Sequence, residues 1–108
     1  MRKIYLFCSG GMSTSLLAKR MQEVADAHKL PVEVDAFSST QVDSLVETNA
    51  PDCILLGPQL RFMQDSIEER YGTRIPVGVI DAQDYGSLDG ERVLKAAILL
   101  LQGKDKAR

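Results

Sequence analysis

The sequence alternates four short apolar runs with longer segments of mixed polarity, and this alternation constrains the fold most. The apolar runs are residues 4–7, 32–37, 53–56 and 77–80. A strand of a parallel sheet is a short apolar run because helices cover both of its faces. Only the second run alternates apolar with acidic residues, which is typical of an exposed edge strand. The pattern therefore predicts four strands, with the second at an edge.

Helical periodicity follows each apolar run. Residues 13–29 place Leu17 and Met21 on one face of a predicted helix, which His28 ends. Three more helices are predicted: Ser38 and Asp89 can cap two of them, and Pro58 suits the first turn of the other. Residues 81–90 are expected to form a loop, and the last helix is expected to end before Gly103.

Strict alternation of strands and helices predicts a single α/β domain over residues 1–108. Right-handed crossovers and a polar second strand favour a four-stranded parallel sheet of order 2-1-3-4 with helices on both faces. This arrangement is flavodoxin-like, or like the low-molecular-weight phosphatases. Such sheets bind ligands beyond the carboxyl ends of the strands, where the crossovers change direction. That point lies between strands 1 and 3, at residues 8–13 and 57–59.

The segment CSGGMSTS after the first strand combines a thiol, two glycines and four hydroxyls. Glycines let backbone amides approach a guest, and the N-terminus of the next helix adds unpaired N–H groups and a positive dipole end. Such a cradle binds phosphate, and it lowers the pKa of a thiol below its free value of about 8.5. We therefore expect Cys8 to be the nucleophile. The expected phosphate-binding residues are Ser9, Gly10, Gly11, Met12, Ser13, Thr14 and Ser15.

The distribution of charge restricts the possible partners. The first 22 residues carry four basic side chains and no acidic one, so we expect positive charge around the thiol. The net charge of −2 argues against a nucleic-acid partner. No apolar run approaches the ~20 residues of a membrane span, and no signal-peptide pattern precedes the first strand. We expect a cytoplasmic protein that does not insert into the membrane and is a monomer when free.

The second cysteine and the single histidine are expected to have no catalytic role. Cys53 lies inside an aliphatic strand and is predicted to be a core residue. His28 ends the first predicted helix, where a contact with the helix terminus or solvation is expected. Two distant cysteines and one histidine cannot supply a four-ligand zinc site, and there is no C-x-x-C motif. Neither a metal nor a cofactor is expected.

A cysteine in an amide cradle is compatible with three activities. A low-molecular-weight cysteine phosphatase requires C-x₅-R-[S/T], but Thr14 stands where arginine is required, although Ser15 matches. A flavodoxin-like electron carrier needs aromatic rings beside its flavin mononucleotide, and this chain has three Tyr, three Phe and no Trp. The third activity is that of a thiol which accepts a phosphoryl group and holds it for a second partner. The residues favour this carrier and leave the other two as alternatives.

Three strings resemble one family: IYLFCSGGMSTSLLAKRM, LLGPQ and PVGVIDAQDYGSLDGERVLKAA. They are similar, in this order, to the IIB component of the lactose/cellobiose/diacetylchitobiose class of the bacterial sugar phosphotransferase system (PTS). Gly10 stands where alanine is expected in close relatives, and Cys53 where an aliphatic residue is usual.

The resemblance implies an activity and two partners. Cys8 would accept a phosphoryl group from a phosphohistidine of a IIA protein and pass it to a sugar hydroxyl held by the membrane IIC permease. The protein would then be a phosphotransferase at the inner face of the membrane, with cellobiose or diacetylchitobiose as the favoured sugar. Gln59 and the loop from Asp81 to Asp89 would lie near the thiol.

Overall fold

The computed structural model describes residues 1–9 and 12–106 of the 108-residue chain. The strands are β1 (Arg2–Cys8), β2 (Val32–Ser38), β3 (Cys53–Leu56) and β4 (Val77–Val79). The α-helices are α1 (Met12–Ala27), α2 (Val42–Asn49), α3 (Gln64–Tyr71), α4 (Ala82–Gly86) and α5 (Gly90–Lys106). Two 3₁₀ segments, Ser39–Gln41 and Pro58–Met63, precede α2 and α3. None of the helices in the described ranges is long and apolar enough to cross a bilayer.

The four strands form one parallel sheet in the order β2-β1-β3-β4, which confirms the predicted topology. The central strands β1 and β3 are buried almost throughout, whereas β2 alternates buried and exposed residues along its first half. In register, Ile4 of β1 faces Cys53 of β3, and Phe7 faces Leu56. The two central strands therefore have a shared amino end and a shared carboxyl end.

Each face of the sheet has its own apolar core, because successive side chains of a strand point to opposite sides. On one face, Ile4 and Leu6 pack with residues of α1 and α5 such as Met21 and Leu94. On the other face, the core consists of strand residues and residues from the α2 and α3 side: Tyr5, Phe7, Val42, Val46, Ile54, Leu56, Leu60, Ile67, Ile75 and Val77.

The first helix is shorter than predicted, ending at Ala27. Lys29 has a φ of 55°, in the left-handed region. The amide of Leu30 donates to the carbonyl of Ala25 at 2.8 Å, and the amide of Lys29 donates to Asp26 at 3.1 Å. These two bonds form a Schellman motif, in which the left-handed residue is usually glycine. The sequence signal was missed because lysine occupies the glycine position.

Three other local predictions were wrong. Residues 81–90 are not a simple loop but contain α4, because Asp81 accepts hydrogen bonds from the amides of Gln83 (2.9 Å) and Asp84 (3.1 Å) and caps this short helix. The helix expected after Pro58 is divided into a 3₁₀ segment and α3, with non-helical backbone at Leu60. The last helix continues through Gly103, where an added Cβ would meet nothing within 4 Å.

Candidate functional site

Cys8 is the last residue of β1 and lies at the carboxyl end of the sheet. Its neighbour on β2 is Ser38, and on the other side Phe7 pairs with Leu56, the last residue of β3. The amide of Gly57 donates to the carbonyl of Phe7 at 2.9 Å, so the chain leaving β3 stays beside the end of β1. The thiol therefore lies where the topology changes direction, as the sequence predicted.

Gly57 and Gln59 border the thiol on the β3 side. A Cβ built on Gly57 would lie 3.0 Å from Oε1 of Gln59 and 3.6 Å from Cβ of Cys8. Gln59 is exposed, in the 3₁₀ segment that follows Gly57. The structure thus places the amide of Gln59 next to the candidate site.

Six of the seven expected phosphate-binding residues divide into three groups, and Thr14 stands apart from them. Gly10 and Gly11 lie outside the described residues, so their part of the predicted cradle has no structural description here. Met12 and Ser13 begin α1, a helix of 16 residues with no acidic residue in its first turn. Ser9 and Ser15 are exposed at this end of the molecule. The described part of the site therefore joins a thiol, two exposed hydroxyls and a helix N-terminus.

The side chain of Thr14 faces the interior. It is 0% exposed, and its Oγ1 lies 3.0 Å from Oη of Tyr85. Sequence reasoning grouped this hydroxyl with the exposed donors of the loop. Its partner is an aromatic residue of α4 that the sequence analysis did not single out, since nothing local to Tyr85 indicates a contact 71 positions away.

Two carboxylates of the segment between β4 and α5 cap helices. Asp81 caps α4, and Oδ1 of Asp89 accepts from the amide of Arg92 at 3.0 Å in the first turn of α5. The capping role predicted for Asp89 is confirmed. Asp81 lies just beyond the carboxyl end of β4, and Cys8 lies at the same end of the sheet. Its hydrogen bonds from the amides of Gln83 and Asp84 make it a helix cap.

Positive charge around the thiol does not come from the start of the chain. Arg2 and Lys3 lie at the amino end of β1, about 15–20 Å from Cys8 at the ~3.3 Å rise of each strand residue. Nζ of Lys3 donates to the carbonyl of Asn49 at 3.0 Å, and its amide donates to Asp52 at 2.7 Å. For these two residues the expected clustering of charge is wrong. The N-terminus of α1 does supply positive potential at the carboxyl end of the sheet.

The second cysteine lies at the opposite end of the central strands. Cys53 is the first residue of β3, is 0% exposed and belongs to the core on the α1 and α5 side, so its predicted core position is confirmed. Burial, together with the charge of Asp52, raises the pKa of the Cys53 thiol from 9.0 to about 12. His28 is exposed just beyond α1, away from the sheet end that carries Cys8.

Comparisons with known proteins identify relatives of this chain. Residues 3–96 match the family model described as "PTS system, Lactose/Cellobiose specific IIB subunit". The chain is 39% identical to the galactose-specific EIIB component of Lactococcus lactis subsp. cremoris (strain MG1363) and to the cellobiose-specific EIIB component of Lactococcus lactis subsp. lactis (strain IL1403). Each match covers 87% of this chain and 91% of the relative. The cellobiose-specific phosphotransferase IIB component of Borrelia burgdorferi has a similar solution structure, with a TM-score of 0.76, 35% identity and coverage of 95% of this chain and 94% of that one.

Proposed function

The chain belongs to the lactose/cellobiose-specific IIB subunits of the sugar phosphotransferase system, and we propose that Cys8 is the residue that carries its phosphoryl group. IIB components are phosphotransferases that transfer phosphate to sugar. The proposal depends on one observation above all. Cys8 ends β1 at the topological switch point, a few residues before the N-terminus of α1.

The proposed reaction has two transfers through sulfur. In the first, the Cys8 thiolate attacks the phosphorus of a phosphohistidine on a IIA protein, so that the N–P bond breaks as the S–P bond forms. In the second, a sugar hydroxyl bound by the IIC permease attacks the same phosphorus and the S–P bond breaks. The hydroxyl proton leaves to a base or to water, and Cys8 is left as the thiolate. Phosphoryl transfer needs positioning and stabilisation of charge more than covalent machinery. The amides of the first turn of α1 and the hydroxyls of Ser9 and Ser15 supply both.

The same residues favour a carrier over a hydrolase. A cysteine phosphatase would hold the phosphoryl oxygens with an arginine at position 14, but this chain has a buried threonine there. Asp81, the acidic residue at the end of β4, caps α4. Without a guanidinium to stabilise attack by water, the S–P bond is expected to persist until a sugar arrives.

The substrate that we propose is a β-linked disaccharide such as cellobiose or diacetylchitobiose. The family description and one 39% identical relative name lactose or cellobiose, and an equally similar relative is named for galactose. In this proposal the protein works at the inner face of the membrane, where it meets the IIC permease.

The test is direct phosphorylation. The purified protein is incubated with phosphoenolpyruvate, the general phosphotransferase proteins and a panel of IIA components, and its intact mass is measured. We expect one added phosphoryl group with the cognate IIA protein, and peptide mapping should place it on Cys8. Phosphate on His28 or on a loop serine would refute the phosphocysteine mechanism.

A further inference from the structure

The contact between Thr14 and Tyr85 joins the first turn of α1 to α4. Thr14 is fully buried, and a buried hydroxyl is costly unless it has a hydrogen-bond partner. Oη of Tyr85 lies 3.0 Å from Oγ1 of Thr14. Tyr85 lies in a segment 71 positions later in the chain.

Several contacts hold the Tyr85 side chain in place. Its ring is partly buried against the core formed by residues of α1, α5 and the sheet. Asp81 caps the N-terminus of α4, and Asp84 of the same helix pairs with Nε of Arg92 at 2.9 Å. The short helix is therefore anchored both at its start and to α5.

The segment that carries Tyr85 also contacts α1 closely at a second point. A Cβ on Gly90 would lie 2.8 Å from backbone atoms of Arg20 and Met21, so any larger residue would push α5 away from α1. Leu88, between Tyr85 and Gly90, packs against the same core as the Tyr85 ring. The segment from α4 to the start of α5 thus contacts α1 at its first turn and again near its middle.

We infer that Tyr85 is a positioning residue for phosphoryl transfer, acting through Thr14 on the first turn of α1. This inference rests on the proposed function of Cys8. The first turn of α1 supplies amides for the phosphoryl oxygens, and a misplacement of about 1 Å in such groups can cost ~100-fold in rate. The hydroxyl of Thr14 is directed away from the solvent, so its contribution is to fix where the turn lies relative to the sheet.

Tyr85→Phe tests this role because it removes one oxygen and keeps the packed ring. We expect the rate of phosphoryl transfer from the phospho-IIA protein to fall about 10- to 100-fold. The pH profile of Cys8 alkylation should also move to higher pH, because a displaced helix N-terminus stabilises the thiolate less. This second measurement needs no partner protein.

Two variants serve as controls. Leu88→Ala weakens the same segment without touching the hydroxyl pair, and Tyr71→Phe removes a tyrosine hydroxyl that donates to Asp43 on the other face of the sheet. We expect both to retain the alkylation profile of the wild type, even where Leu88→Ala lowers the free energy of unfolding. If Leu88→Ala reproduces the Tyr85→Phe profile at equal stability, the effect is merely structural and the inference fails.

Thr14→Val gives a second route to the same answer. If Tyr85 acts through Thr14, the double variant Thr14→Val/Tyr85→Phe should transfer the phosphoryl group no more slowly than the slower of the two single variants. Additive losses, or a folded Tyr85→Phe protein with wild-type transfer and alkylation, would overturn the inference. A wild-type protein that accepts no phosphate from any IIA protein would instead count against the proposed function. The two failures can be distinguished, because the alkylation profiles measure the positioning effect without phosphorylation.

Discussion

The two cysteines lie at opposite ends of the same pair of central strands, and their surroundings differ in kind. Cys8 ends β1, whereas Cys53 begins β3 and faces Ile4 across the pair. Exposure hardly distinguishes the two residues, which are 6% and 0% exposed. What differs is the backbone around them, because α1 begins just after Cys8 and Cys53 is enclosed by aliphatic side chains. Position in the fold, more than access to solvent, separates the thiol that we propose as the nucleophile from the thiol in the core.

The difference follows from the topology of a parallel α/β sheet. At the carboxyl end of each strand the chain turns into a helix, so N-termini with unpaired N–H groups collect there. At the amino end, the helix C-termini bring carbonyl groups, which do not stabilise a thiolate. One end of the sheet can therefore hold an anion, and the other is suited to packing.

The largest effect should come from exchanging the nucleophile. Cys8→Ser should accept no detectable phosphate from the phospho-IIA protein, because serine at neutral pH lacks the ready thiolate of cysteine. Cys53→Ala should still be phosphorylated. Intact-mass measurement of both variants makes the comparison, with circular dichroism as the control for folding. Phosphorylation of Cys8→Ser at the wild-type rate would end the assignment of the site.

Alkylation compares the two thiols within a single molecule. At pH 7 a thiol with a pKa of about 12 is ionised in only about one molecule in 10⁵, whereas a free cysteine is ionised at about 3%. We therefore expect Cys8 to react at least ~10³-fold faster than Cys53 in the native protein, and inorganic phosphate to slow it. Mass spectrometry of peptides after limited alkylation measures the ratio. Preferential labelling of Cys53 would reverse the assignment of nucleophile and core residue.

The buried thiol should instead appear in the stability of the protein at high pH. Burial raises the pKa of Cys53 from 9.0 to about 12, so the folded state keeps this proton where the unfolded state has lost it. The stabilisation is complete below pH 9 and is lost as the pH rises toward 12, with a slope of about −1.4 kcal/mol per pH unit in the free energy of unfolding. Urea denaturation of wild type and Cys53→Ala between pH 8 and 11 isolates this slope. If the free energy of unfolding changed with pH in the same way in both proteins, the slope could not be assigned to Cys53.

The smallest effect is expected for the charge of Lys3, which lies at the amino end of β1, away from Cys8. Lys3→Met should leave Cys8 alkylation and phosphorylation unchanged, because the ammonium group lies at the amino end of β1. The lost hydrogen bond to Asn49 is exposed and should cost at most about 1 kcal/mol in the free energy of unfolding. A shift in the pH profile of Cys8 alkylation would show that the Lys3 ammonium group affects the thiolate in spite of this distance.

The sheet and the position of Cys8 could be predicted because both depend on local patterns. Four apolar runs separated by helical segments specify the strands, and the acidic residues of β2 place it at an edge. Short helical elements were predicted less well. The Asp81 cap that produces α4 lies in a run of glycine and polar residues typical of loops, and the turn that ends α1 uses lysine where glycine is usual.

By itself, the sequence determined the order of the strands, the end of the sheet that carries the thiol and the burial of Cys53. These follow from periodicity and from the geometry that every parallel α/β sheet shares. Only the tertiary structure decided that Thr14 faces Tyr85 and that the first basic residues lie far from Cys8. Neighbours in the sequence can be separated by the length of a strand, and residues 71 positions apart can share a hydrogen bond. Such contacts depend on how the helices pack against the sheet, which no local pattern contains.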